Sequence, residues 1–447
     1  MVHTTRARHP KGLFFLAFTE AWERFSYYGM VALLVLYMVN QLLLPGHVEQ
    51  IAGFTTFRAI IEGVFGPKST QALASQIYGL YSGFVYFTPL LGGFVADRYI
   101  GQRNAVVIGA LAMSAGHVAM AYDQSFLLAM LLLVTGSGLL KGNISAQVGA
   151  LYPRDDATRR TRGFTLFSMA INFGAFFGPL LCGYLAQEYG WHRGFGAASV
   201  FMLCGLATYL YGYRYLPAKV EKLPTESASL SSADWRIVGA LTAVIALTVF
   251  ESIGYGQNAN VFPVFAEAHV QLTVAGLRVP TPWYQSLDPF WAIAGVPMLF
   301  ALWRYQTPRR GEPTDLVKMA IGAFVIGASN LILPLGLFVS GAERLHPLWA
   351  VAYFAIDSIG WLYYWPTLLA FVSRAAPSNV NATMMGITFM SLFVANNLVG
   401  WVGGYYEKMT PTAFWSMHAA VSALGGVLIL LMAKPLSRVL SLERVAA

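Results

Sequence analysis

Long apolar segments, separated by short polar ones, constrain this chain more than any other feature of its sequence. Of its 447 residues, 56% are hydrophobic and 11% are charged, whereas a soluble protein carries about 25% charged residues. A helix needs about 20 mainly apolar residues to cross the hydrocarbon core of a bilayer. Twelve segments have this character: 13–42, 72–96, 104–122, 125–148, 163–186, 194–213, 236–265, 286–304, 316–339, 347–372, 381–403 and 412–433. We therefore predict an all-α integral membrane protein with twelve transmembrane helices.

The basic residues are distributed unevenly between the two sides of the predicted membrane. If both termini lie inside, 21 of the 29 Lys and Arg residues fall in inner segments, six in outer segments and two within helices. Such an excess follows the positive-inside rule. It predicts a multi-pass protein of the plasma membrane, here a bacterial inner membrane, with both termini in the cytoplasm. It also explains the net charge of +8 without nucleic acid as a partner.

Two polar stretches divide the chain. Residues 215–234 combine Pro, Ser and charged residues between the sixth and seventh apolar segments, which favours a cytoplasmic linker. It would join an N-terminal six-helix bundle, 1–214, to a C-terminal six-helix bundle, 235–447. Residues 43–71 contain a second, helix-like stretch, which we expect to form an extracellular cap.

Four charged residues lie where a membrane helix should be apolar. Glu20, Glu23 and Arg24 occupy the first apolar segment, and Lys141 lies in the fourth. A charge at the bilayer centre costs roughly 2.5–3.5 kcal/mol on insertion scales, so such residues face a cavity or pair with one another. An acid that loses its cationic neighbour takes up a proton because burial disfavours its charged form. The four side chains therefore favour a proton-dependent switch, and the alternative is a static cluster that joins two helices.

The segment TEAWERFSYYGM, residues 19–30, resembles the E-x-x-E-R-F-x-Y-Y-G motif of the proton-coupled oligopeptide transporters, also called the peptide transporter (PTR) family. Further segments are similar to the family's second, fourth, fifth and eighth helices: 85–103, 138–152, 164–181 and 283–293. The resemblance implies a major facilitator fold with two six-helix bundles and transport by alternating access. It assigns the proton-coupling roles to Glu20, Glu23, Arg24, Lys141 and Glu251.

The sequence departs from the family where peptide termini are read. Val31 stands where family members carry an arginine for the peptide carboxylate, and Trp361 stands where they carry a glutamate for the amino group. Asp288 replaces an asparagine of the eighth helix, and Asp357 lies one helical turn before Trp361, on the same face. These changes predict a more acidic cavity and a preference for amine-bearing compounds. Alternatively, Asp288 and Asp357 lie near helix ends and contact water or lipid headgroups.

Further positions complete the predicted site. Tyr27, Tyr28 and Tyr78 match family positions, and tyrosine offers small ligands an apolar ring face and a polar tip. Together with Asn172, Glu251, Asp288, Asp357 and Trp361 they form the predicted substrate site. In the loop GGFVADRYIGQR, Asp97, Arg98 and Arg103 can pair at cytoplasmic helix ends and act as a gate. Anchoring at the membrane surface is the alternative role for these arginines.

We therefore interpret the chain as a proton-coupled symporter that imports di- or tripeptides or related small nitrogenous or amine-bearing compounds. Its expected partners are the substrate, protons and the lipid bilayer, and we expect a monomer. A proton-driven antiporter that exports drugs or metabolites is the alternative. The sequence contains no metal-binding His pair, nucleophile motif or phosphate loop, so we expect neither an enzyme nor a bound metal or cofactor. The proton gradient would supply the energy.

Overall fold

The structure is a computed structural model that describes residues 9–153, 156–217, 230–341 and 343–439. In these ranges the α-helices are α1 (Lys11–Tyr37), α2 (Phe54–Phe65), α3 (Thr70–Val95), α4 (Gln102–Ala119), α5 (Phe126–Ala150), α6 (Ala157–Tyr189), α7 (Trp191–Gly212), α8 (Ser232–Tyr255), α9 (Gln257–Asn260), α10 (Phe262–His269), α11 (Leu287–Arg310), α12 (Asp315–Ser340), α13 (Pro347–Ala375), α14 (Asn381–Gly403) and α15 (Pro411–Val439). A short hairpin pairs β1 (Thr273–Val274) with β2 (Leu277–Arg278). Each of the twelve predicted apolar segments thus contains a long helix.

Ten of the long helices are sufficiently long and apolar to cross a membrane within the described part of the chain. The other two predicted segments, 104–122 and 347–372, form α4 and α13. The helix-like stretch in 43–71 forms the amphipathic helix α2. These findings confirm the prediction of an all-α membrane fold.

The seventh predicted segment, 236–265, is not one continuous helix. Its first part is α8, which ends at Tyr255, and the rest is divided into α9 and α10. Pro263 near the start of α10 has no N–H for a helical hydrogen bond to the preceding turn. At the break, the Gln257 side chain donates to the carbonyl oxygen of Val399 in α14 at 3.2 Å. The polar residues of α9, QNAN, mark this break in the sequence.

The helices form two compact units. Unit 1 comprises the described parts of Met1–Leu33, Gln50–Ala52 and Thr88–Leu223, and unit 2 comprises the described parts of Leu34–Glu49, Gly53–Phe87 and Pro224–Ala447. The predicted bundle boundaries at 214 and 235 stay a prediction. Most of the predicted linker, 218–229, lies outside the described residues.

Small residues hold unit 1 together. A Cβ added to Gly178 of α6 would lie 2.4 Å from the carbonyl oxygen of Phe25 in α1. In the same helix, a Cβ on Gly174 would lie 2.2 Å from the carbonyl oxygen of Ala21. Small residues let membrane helices approach closely. They place the polar segment of α1 directly against α6.

Unit 2 has two apolar cores. One lies between α8, α12, α13 and α15 and contains Tyr364 and Met319. The other is aromatic: the Phe262 and Tyr353 rings stack with their centres 5.4 Å apart, and Trp415 packs against them. These cores fix α8 and α13, which carry the acids Glu251 and Asp357, and α12, which carries Ser329.

A Gly178→Ala substitution should destabilise the protein by about 1–3 kcal/mol, because the added methyl would overlap the backbone of α1. Gly196→Ala, in α7, is the matched control, since a Cβ there would meet nothing within 4 Å. Thermal unfolding of both variants in detergent measures the difference. Equal melting temperatures would contradict the close packing of α6 against α1.

Candidate functional site

The three charged residues of α1 form one cluster in unit 1. The Nε atom of Arg24 lies 3.0 Å from Oε1 of Glu20 and 2.5 Å from Oε2 of Glu23. All three residues are buried, with Glu23 completely inaccessible. One guanidinium therefore serves two carboxylates, as the i, i+4 spacing of Glu20 and Arg24 favours.

Lys141 of α5 belongs to the same cluster. Its Nζ atom lies 4.4 Å from the centre of the Tyr27 ring, and the Arg24 guanidinium lies 5.4 Å from that centre. The charges of Glu20 and Glu23 both act on the Lys141 ammonium. The structure thus brings together the four charged residues that the sequence singled out, with both cations close to the Tyr27 ring.

Neighbouring polar residues surround this cluster. The rings of Tyr27 and Tyr28 meet edge to face, with their centres 5.1 Å apart. These two residues follow Arg24 by three and four positions, about one helical turn. Asn172 of α6 is half-buried and donates to the carbonyl oxygen of Ser168 in its own helix at 3.0 Å. Tyr27, Tyr28 and Asn172 are all in unit 1.

The predicted gate residues lie at the junction of α3 and α4. Asp97 and Arg98 are part of a π-helical turn, Ala96–Ile100, that extends α3. Gln102 lies 3.5 Å from Asp97. Arg103 donates to the carbonyl oxygen of Leu216, and its guanidinium lies 4.8 Å from the Tyr213 ring centre. Arg103 therefore ties the start of α4 to the chain that follows α7.

A second polar cluster lies in unit 2, around Asp357 of α13. This carboxylate is fully buried. It accepts hydrogen bonds from the Ser329 hydroxyl at 2.9 Å and from the Asn258 amide at 3.3 Å. The break between α8 and α10 thus has a role, because it delivers Asn258 to a buried acid.

Asp288, at the start of α11, is held by Ser358, the residue that follows Asp357 in α13. One carboxylate oxygen accepts from the Ser358 hydroxyl at 2.8 Å, and the other accepts from the Tyr255 hydroxyl at 2.9 Å. Asp288 is half-buried and fixed within protein contacts. These bonds favour the site interpretation of Asp288 over contact with lipid headgroups.

Glu251 of α8 is the third buried acid, and it accepts from the Ser252 hydroxyl at 3.0 Å. The charges of Asp288 and Glu251 both act on Asp357. Within the described ranges, no Lys or Arg pairs with any of these three carboxyls. Unit 2 therefore carries an acidic cluster bonded only to hydroxyl and amide groups.

The remaining predicted residues are more peripheral to these clusters. Tyr78 is buried in α3, in the part of that helix that belongs to unit 2. Trp361 packs in a small apolar cluster with Leu299, Leu362 and Tyr363. Asp357 and Trp361 both belong to α13, but Asp357 makes hydrogen bonds whereas Trp361 packs against apolar side chains.

Sequence reasoning missed the hydroxyl groups that support the acids. Ser329 and Ser358 each bind one of them, and Asn330 beside Ser329 is also completely buried. The signal was present as the polar pairs Ser329–Asn330 and Asp357–Ser358 within apolar helices. Buried polar groups need hydrogen-bond partners, so such pairs should be read together.

Comparison with known proteins defines the class as a membrane transporter. The model of the POT family (PTR2) matches residues 103–229 and 219–418. The chain is 30% identical to the uncharacterized transporter YclF of Bacillus subtilis, covering 95% of this chain and 94% of that protein. It is 27% identical to the di-/tripeptide transporter of Lactococcus lactis subsp. cremoris, with 96% of each covered.

Solved structures agree with these relatives. A crystal structure of the peptide transporter POT in complex with sulfate has a TM-score of 0.83 to this chain, with 28% identity and 96% of each chain covered. The chain therefore belongs to the POT family of major facilitator transporters. Membership confirms the resemblance, the fold class and the interpretation as a transporter rather than an enzyme.

Arg24→Met should lower the free energy of unfolding by about 3–5 kcal/mol, because it leaves two buried carboxylates without their shared cation. Adding Glu23→Gln should recover part of that loss, since it removes one uncompensated charge. Thermal or denaturant unfolding in detergent measures both effects. Arg438→Met, at an exposed position, is the control. If the two α1 substitutions are simply additive, Arg24 and Glu23 do not stabilise one another.

Proposed function

We propose that the protein is a proton-coupled symporter that imports small peptides or related amine-bearing compounds by alternating access. The observation that carries the proposal is the neutral group of four charges in unit 1, two carboxylates and two cations, packed around the Tyr27 ring. Glu20, Glu23, Glu251 and Asp357 are the proposed proton carriers. Arg24 and Lys141 are the proposed charge partners in unit 1.

Charge balance explains why transport would need protons. With both glutamates ionised, the charges of the cluster cancel, which is the state that burial tolerates. A substrate carboxylate held by Lys141 adds one negative charge, so one glutamate then lacks a partner. That glutamate takes up a proton because an uncompensated buried charge is unfavourable. Substrate and proton therefore bind together, and a proton gradient drives both inwards.

The acidic cluster of unit 2 supports an amine as the second recognised group. Asp288, Asp357 and Glu251 have hydroxyl and amide partners but no cation among the described residues. A substrate ammonium would supply the missing positive charge. The proposed substrate contacts are these three acids with Tyr27, Tyr28, Tyr78, Asn172 and Trp361. The Lactococcus relative is named a di-/tripeptide transporter, which supports small peptides as the first compounds to test as substrates.

The remaining proposals concern orientation and energy supply. We place both termini in the cytoplasm of a bacterial plasma membrane and treat the protein as a monomer. The proton gradient is the only energy source required, without a bound cofactor. Asp97, Arg98 and Arg103 form the proposed inner gate. Among the described residues, no group of three His, Cys, Asp or Glu could hold a metal ion.

Glu23→Gln or Lys141→Ala should abolish uptake driven by a pH gradient in proteoliposomes, because either change removes one member of the charge balance. In Glu23→Gln, exchange of labelled for unlabelled substrate, which needs no net proton movement, should persist. Lys141→Ala should weaken exchange as well, because it also removes the proposed contact with the substrate carboxylate. Glu62→Gln is the control, since Glu62 pairs with Arg58 in α2. Wild-type rates of driven uptake in both variants would refute the proton switch.

The same vesicles separate import from export. An outside-acidic gradient should concentrate substrate inside vesicles that contain the wild-type protein. Expulsion of preloaded substrate under that gradient would instead support the antiporter.

Simple amines should compete with a labelled peptide better than N-acetylated dialanine does, because acetylation removes the ammonium. Asp357→Asn should weaken competition by amines on the order of tenfold or more, the effect of losing a charge-assisted hydrogen bond. Glu62→Gln, at an acid that pairs with Arg58 in α2, is the control. Equal inhibition by dialanine and its acetylated form would contradict amine recognition without affecting the case for proton coupling.

A further inference from the structure

A cavity of about 270 Å³ lies in unit 2 beside the start of α3. Its walls come from the segment between α2 and α3 and from the end of α14 with the turn that follows. Ala72 and Gly404 bring the two walls together, since a Cβ on Gly404 would lie 3.1 Å from that of Ala72. Ligand pockets for drug-sized molecules have volumes of about 300–1,000 Å³. This cavity suits a single polar group instead.

Two lysines from opposite walls line the cavity. The Lys68 ammonium lies 5.7 Å from the Phe65 ring centre, and the Lys408 ammonium lies 5.5 Å from the Tyr405 ring centre. Neither ammonium makes a hydrogen bond or an ion pair with any residue that the structure describes. Partial burial and the charge of Lys408 lower the pKa of Lys68. The two positive charges therefore oppose one another across the cavity, and an anion between them would relieve the repulsion.

The nearby acids are occupied elsewhere. Glu407, also in the lining, accepts a hydrogen bond from the Ser69 hydroxyl. Glu62 pairs with Arg58 at 3.0 Å and accepts from the backbone N–H of Lys68. Glu62 acts on the Lys68 charge but does not contact its ammonium. Among the described residues, no acid therefore pairs with either lysine ammonium.

The aromatic residues of the cavity indicate its surroundings. Trp401 and Tyr405 are both exposed at the end of α14, and such residues concentrate at the interface between membrane and water. Basic side chains at that level attract anionic lipid headgroups. A cavity with exposed aromatic residues and two unpaired ammonium groups therefore matches a phosphate group at the membrane surface.

We propose that Lys68 and Lys408 form a binding site for a phosphate group, carried by an anionic phospholipid or free in solution. The site is separate from the charged clusters of the proposed transport cycle. An occupant would bridge the start of α3 and the end of α14 through the two ammonium groups. The site would thereby stabilise this end of unit 2.

Short-chain phosphatidylglycerol titrated into the detergent-solubilised full chain tests the site through the apparent melting temperature, since ligands that bind the folded state raise it. The lipid should stabilise the wild-type protein. In the double variant Lys68→Gln/Lys408→Gln, the apparent affinity should fall about tenfold to thirtyfold. The pair Lys68→Arg/Lys408→Arg should retain binding. Lys434→Gln/Arg438→Gln, which removes two exposed charges elsewhere, should bind as the wild type does.

The comparison ligands identify the source of the phosphate. Inorganic phosphate that matches the shift of the lipid, and loses it in the Gln pair, would support the site with free phosphate as occupant. Dioctanoylglycerol, which has no phosphate, should give no shift. An equal shift with dioctanoylglycerol would overturn the proposal, as would unchanged lipid affinity in the Lys68→Gln/Lys408→Gln variant. Lys408→Gln alone, at an exposed position, repeats the test if the double variant does not fold.

Discussion

The pairing of Arg24 with Glu20 and Glu23 is the interaction on which the arrangement of unit 1 depends. Three charges on one apolar helix would be strongly unfavourable in lipid if each stood alone. Their mutual contacts, at 3.0 and 2.5 Å, make the helix compatible with a membrane. The close approach of α6 at Gly174, where a Cβ would lie 2.8 Å from Cβ of Arg24, then encloses the cluster. The ion pairs of Arg24 and the close packing of α6 therefore favour the same position of α1.

The buried acids of unit 2 are stabilised by different partners. Its three acids are bonded to Ser, Tyr and Asn side chains rather than to cations. Hydroxyl and amide donors satisfy a carboxyl group but do not neutralise it. The buried charged cluster of unit 1 is thus balanced in charge, and the buried cluster of unit 2 has an excess of acid. This difference is the physical reason for assigning carboxylate binding to Lys141 and ammonium binding to the acids around Asp357.

Much of this arrangement could be predicted from the sequence. Apolar length alone located the twelve long helices, and the cost of charge in lipid identified Glu20, Glu23, Arg24 and Lys141 before any contact was known. Apolar length does not locate the break after Tyr255, although the polar sequence of α9, QNAN, marks its position. Its cause is tertiary: Asn258 reaches Asp357, ninety-nine positions further along the chain.

The donors to Asp288 were equally hidden from the sequence. Tyr255 and Ser358 lie 33 and 70 positions away from it, so no local pattern connects them. The cavity between Lys68 and Lys408 is a similar case, since its two walls are formed by segments far apart in the chain. Periodicity identifies which residues share a helix face, whereas pairing between helices depends on how those helices pack.

Proton coupling through the Arg24 cluster is tested most directly by measuring whether substrate binding itself takes up protons. Dialanine would be added to purified protein in weakly buffered solution while the pH is recorded. In the wild-type protein, we expect a rise in pH that saturates with ligand. After Glu23→Gln, this rise should be reduced or absent. Saturable binding with no change in pH in the wild-type protein would contradict proton coupling through the Arg24 cluster.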